Sequence, residues 1–71
     1  MPEIDDRVSA IVDQGNGTSM VYYNGDEHFF PVGNDIISES GLTQGAVLSF
    51  GPLDGQGQTI YYEGQWLTTI I

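Results

Sequence analysis

The sequence predicts an all-β fold, a small antiparallel barrel of five to six strands with one short helical turn near 34–40. Three observations lead there. Short runs rich in β-branched and aromatic residues alternate with Gly-, Asn- and Asp-rich turns, the pattern of a meander of short strands. The stretch Val21-Tyr22-Tyr23-Asn24-Gly25-Asp26-Glu27-His28-Phe29-Phe30-Pro31-Val32 sets two aromatic runs either side of Asn-Gly, a strong hairpin signal because both central residues tolerate positive φ. No segment of ten or more residues carries a helical period.

Met1 to Asp6 is a polar lead-in expected to be flexible. Val8-Ser9-Ala10-Ile11-Val12 within Arg7 to Asp13 forms a first strand, ended by Gln14-Gly15-Asn16-Gly17. Thr18 to Tyr23 is the second strand, and Asn24-Gly25 turns it into a third, Glu27 to Val32. Gly33 to Gly41 is too short for an ordinary helix, so one helical or 3₁₀ turn carries Ile36 and Ile37 inward. Ala46 to Phe50 is the fourth strand. Gly51 to Gln58, with three glycines and a proline, reads as a mobile loop. Thr59 to Tyr62, Glu63-Gly64 and Gln65 to Ile71 make a second hairpin.

The 71 residues hold one domain, which must be stabilised by an apolar core because there is no cysteine and only one histidine, His28. Ten acids face a single base, Arg7, and the chain has no lysine, for a formal charge of −9. Such a field opposes nucleic acid, whose binding rests on Lys and Arg neutralising phosphates, and it opposes anionic membranes. With no signal-like or membrane-spanning run, a cytoplasmic protein is expected.

Gly25-Asp26-Glu27-His28-Phe29-Phe30-Pro31, the Ile36 turn and Leu42-Thr43-Gln44-Gly45-Ala46-Val47-Leu48-Ser49-Phe50 together resemble the cold-shock domain over Val8 to Phe50. That family is a small OB-type barrel whose fourth strand follows Leu-x-x-Gly-x-x-Val-x-Phe. The resemblance implies single-stranded nucleic acid stacked on rings of strands two and three. Phe29 matches the third-strand phenylalanine, Tyr22 a second-strand aromatic, and Met20 stands where the other ring lies. Ala10 falls near the position of a first-strand tryptophan, Pro31 replaces a histidine, and Thr18 or Ser19 replaces a basic residue.

Adjacent strand residues point to opposite faces. The family phase puts Tyr23 and Phe30 inside, leaving Tyr22 and Phe29 as outer neighbours. The candidate binding face is therefore Tyr22, Phe29 and Met20, with His28, Tyr61 and Trp66 as further candidates. His28 has no Ser, Cys or second His at catalytic or metal-binding spacing, and Trp66 also suits a core or dimer contact near the terminal Ile70-Ile71. Asp13 to Gly17 and Asp54 to Gly57 lack the ligand pattern of a calcium loop. No nucleophile, base and electrophile are grouped, so no enzyme, metal or cofactor is expected.

The leading expectation is a non-catalytic module that presents aromatics within a negative field to a basic protein partner, with polyanion mimicry as one form of it. The alternative is weak binding of single-stranded DNA or RNA through Tyr22, Phe29 and Met20. A homodimer through the C-terminal strand is a further expected association.

Overall fold

The structure, a computed structural model, describes residues 4–71. Its order is β1 (Val8–Asp13), β2 (Thr18–Tyr23), β3 (His28–Gly33), α1 (Asn34–Ser40), β4 (Ser49–Phe50), β5 (Gln58–Tyr62) and β6 (Gln65–Ile70). Two three-stranded antiparallel sheets result, β1-β2-β3 and β4-β5-β6. The all-β class, the helical turn at 34–40 and the second strand stand as expected.

The sheets meet at one seam through the main chain. Arg7 bridges Val47, Val8 N–H donates to Ala46 O at 2.8 Å, and Gly45 N–H donates to Val8 O at 2.8 Å. This seam trims the expected fourth strand: Ala46 to Leu48 pairs with the chain leading into β1, and only Ser49 and Phe50 pair with β5. Asp6 belongs to the same seam, its carbonyl accepting from Leu48 N–H at 2.8 Å. The lead-in expected to be flexible lies partly outside the described residues, at 1–3.

On the other side, β3 packs near β6, but among the described residues no ladder pairs them. The closed barrel ladder expected from the sequence is therefore replaced by two sheets. Pro31 takes one main-chain donor out of β3, which is an edge strand of its sheet, the position at which proline is tolerated.

Alternation fills the space between the sheets. Val21, Phe30 and Val32 enter from one sheet, and Leu48, Ile60 and Leu67 from the segments of the other, all at 2% exposure or less. Ile36 and Ile37 pack against this core from α1. The helix stops at Gly41, whose φ of 74° permits the left-handed cap and whose N–H donates to Ile37 O at 3.0 Å. Buried Ser19 donates its hydroxyl to Asn34 Oδ1, tying β2 to the helix start.

The two hairpins differ. Glu63-Gly64 is a two-residue turn with φ of 50° and 83°, the backbone of a type I′ turn. The first hairpin instead loops through Asn24, Gly25, Asp26 and Glu27, with φ of 54°, 65° and 68° at the first three and Glu27 N–H donating to Asn24 O. Strand three consequently starts at His28 instead of Glu27. The mobile loop expected at 51–58 contains a tight turn, in which Asp54 and Gly57 exchange two main-chain bonds of 3.1 Å.

Glu63 adopts positive φ without the side chain that favours it. Glu63→Asn is expected to stabilise the domain by about 0.5–1 kcal/mol, because Asn visits the left-handed region at lower cost. An upward shift of the urea midpoint with unchanged slope is the measurement.

Candidate functional site

The outer face of β1-β2-β3 follows from register. Tyr22 stands opposite Phe29 on one side and Ala10 on the other, while Met20 stands between Pro31 and Val12. These six residues form a contiguous face without a charged side chain. Phe29 is 58% exposed and Val12 47%. The Tyr22 and Phe29 ring centroids are 5.6 Å apart with planes tilted by 43°, so the pair is in contact and not a parallel slot.

A shallow depression of about 230 Å³ lies on this face, lined by Ala10, Val12, Tyr22 and Asp26. Asp26 stands at the rim beside a bulge in β1 between Val8 and Ala10. Ser9 in that bulge donates its hydroxyl to Asp26 Oδ1 and accepts from Asp26 N–H at 3.1 Å. An acid is thus fixed at the edge of an otherwise apolar face.

Three expected candidates, Tyr22, Phe29 and Met20, are brought together. The other three are elsewhere. His28 lies in the opposite phase, across from Tyr23 with rings 5.4 Å apart. Tyr61 and Trp66 are register partners on the second sheet, where Trp66 Nε1 donates to Thr69 Oγ1 at 3.1 Å. With Trp66 48% exposed, that pair is not core. Val12 completes the first face without having been a candidate, although its alternation with Ala10 was the available signal. In the sequence, Ala10 and Pro31 are distinguished only as departures from the cold-shock pattern.

The loop carboxylates serve their own turns. Asp13 Oδ1 accepts from Gly15 N–H at 2.8 Å, and Asp54 Oδ1 from Gln56 N–H at 2.8 Å. Among the described residues no three His, Cys, Asp or Glu side chains are grouped as metal ligands. Arg7 is committed to Asp5 through Nε to Oδ1 at 3.1 Å, and the guanidinium holds that carboxyl below its ordinary range.

At the inner edge, Tyr23 touches Phe30 and Phe50, with centroids 5.8 and 5.3 Å away. Burial raises its phenol above the ordinary value. A folded-state pKa above the unfolded one favours the neutral form, so this contribution is complete below about pH 10 and lost as pH rises through the folded value. The expected result is an alkaline fall in stability that Tyr23→Phe makes shallower, read from urea midpoints between neutral pH and pH 11.

Comparison with family models, curated proteins and solved structures finds no match to this chain. Among the described residues, no helix is long and apolar enough to cross a membrane.

Proposed function

We propose that the protein is a non-catalytic binding module, built as an acidic cold-shock-like, OB-type barrel, that docks a basic protein partner on the outer face of β1-β2-β3. The carrying observation is the uncharged face of Ala10, Val12, Met20, Tyr22, Phe29 and Pro31, centred on two touching rings and rimmed by Asp26. Rigid aromatics are the residues that anchor protein interfaces. An overall charge of −9 accelerates encounter with a basic surface and adds more to association rate than to affinity. In the OB-type reading, the seam at Arg7 and Val47 and the packing of β3 near β6 wrap both sheets around one core.

The contact between Tyr22 and Phe29 also favours a second reading, weak single-stranded nucleic-acid binding by stacking. Arg7, the only Lys or Arg, is paired with Asp5, so such binding would not weaken as salt rises. One titration separates the readings. Wild type and Tyr22→Ala/Phe29→Ala are titrated, at low and high salt, with a short oligopyrimidine and with a Lys/Arg-rich peptide bearing aliphatic anchors, following intrinsic fluorescence. The expected result is saturable peptide binding lost in the variant and no oligonucleotide binding up to the millimolar range. Oligonucleotide binding at or below ~10 μM, abolished in the variant, would replace the first reading by the second.

A further inference from the structure

A second concavity lies away from the aromatic face, where the chain entering β1 crosses the ends of β2, β4 and β5. It encloses about 290 Å³ and is lined by Ile4, Asp6, Tyr23, Phe50 and Gln58. We propose that this cleft is a receptor for a guanidinium group, the side chain of an arginine presented by a partner. The site is separate from the outer face of β1-β2-β3 and does not depend on the function proposed for it.

The lining matches a flat cation. Tyr23 and Phe50 form a tilted ring pair, 5.3 Å between centroids, at the wall of the cleft. Further rings hold that pair in place, His28 at 5.4 Å and Phe30 at 5.8 Å from Tyr23. Phe30 is 1% exposed, so the wall rests on the core. A guanidinium stacks on such rings and is more weakly hydrated than an ammonium, which lowers the cost of bringing it there.

The polar groups supply the rest. Arg7 forms its ion pair and hydrogen bonds with Asp5 and lies within electrostatic reach of Asp6, while Asp6 lines the cleft and its carboxylate accepts no hydrogen bond among the described residues. The Asp6 backbone is fixed by its carbonyl, which accepts from Leu48 N–H at 2.8 Å. Gln58 is oriented by its Nε2, which donates to Gly51 O at 3.1 Å. Its amide oxygen accepts no hydrogen bond among the described residues and is open to an N–H donor. One carboxylate, one amide oxygen and two rings meet the requirements of a planar, multi-donor cation better than those of a compact ammonium.

The test uses the full chain and a single probe series: N-acetyl-arginine N-methylamide, its neutral citrulline counterpart and its lysine counterpart, followed by amide and aromatic NMR shifts. The expected result is saturable millimolar binding of the arginine probe, with shifts concentrated at Asp6, Tyr23, Phe50 and Gln58. The citrulline probe should show no saturation, and the lysine probe should bind about threefold or more weakly. Asp6→Asn, an exposed and isosteric change, should weaken the arginine probe by about three- to tenfold while leaving the thermal midpoint in place. Tyr22→Ala/Phe29→Ala should leave this binding unchanged even if it abolishes peptide binding on the other face. Equal binding of citrulline, unchanged affinity in Asp6→Asn, or shifts spread over all carboxylates without movement of the Tyr23 and Phe50 ring signals would overturn the assignment.

Discussion

Phe30→Ala is expected to remove most of the domain's stability, whereas Phe29→Ala, one residue earlier, leaves it folded. Phe30 is 1% exposed and Phe29 58%. Emptying a buried phenylalanine site costs about 3–5 kcal/mol through lost transfer energy and the cavity left behind. A chain of 71 residues has roughly 4–10 kcal/mol in total at ordinary stability per residue. The substitution therefore takes a large share, and it also removes the ring against which Tyr23 packs at 5.8 Å. Phe29→Ala loses only its cross-strand contact with Tyr22, about 0.2–1 kcal/mol. Urea unfolding of both variants checks this. The reverse order would mean that β3 is out of register by one residue, because such a slip exchanges the inner and outer faces along the whole strand.

That contrast also indicates what the sequence discloses. Paired aromatics at Tyr22-Tyr23 and Phe29-Phe30 can place only one ring of each pair inside; the choice of Tyr23 and Phe30 comes from the phase that the cold-shock resemblance implies, and Phe30 is buried where Phe29 is exposed. Glu63-Gly64 is legible as a turn because its glycine lies between the β-favouring runs Ile60-Tyr61-Tyr62 and Gln65-Trp66-Leu67. Local pattern does not reach what is decided by distant partners. Asn24-Gly25 fits a two-residue turn, but Asp26 also takes positive φ, at 68°, while bonded to Ser9 seventeen residues away. Ala46 to Leu48 has strand composition, yet the Ala46 carbonyl accepts from Val8 N–H and Leu48 N–H donates to Asp6 O, which leaves β4 only two residues.

The candidate face divides in the same way. Alternation and the cold-shock resemblance locate Tyr22, Phe29 and Met20, because all three depend on strand phase. Their junction with Val12 and Ala10 depends on how β1 registers against β2 after a bulge, which no local signal specifies. The cleft is harder still to foresee. Its walls come from a polar lead-in at Ile4 and Asp6, two strand-end rings and Gln58, segments that meet only once both sheets have formed.

The other large effect is expected at Gly57. This residue has φ of +106°, and a Cβ built on it would lie 2.1 Å from Ile70 O and 2.9 Å from the Ile70 carbonyl carbon. Both obstacles are backbone, so no side-chain rotation relieves them. The neighbouring Gln58 pairs with Ile70 in the β5–β6 ladder, and Gly57 exchanges two bonds with Asp54. Gly57→Ala must therefore either open the Asp54–Gly57 turn or push the end of β6 away from β5. Backbone strain of this kind costs about 1–3 kcal/mol before the lost ladder bonds are added. Gly55, two residues earlier, has open space around its missing Cβ and no positive φ. Gly55→Ala should accordingly be neutral or stabilise by up to about 1 kcal/mol, since it restricts the unfolded chain. Thermal melts should separate the two alanines, and amide exchange at Ile70 should rise in Gly57→Ala alone. Similar melts for both would show that β6 does not run over Gly57. The lower end of β6 would then be free of the turn, and the 51–58 segment would not share its stability.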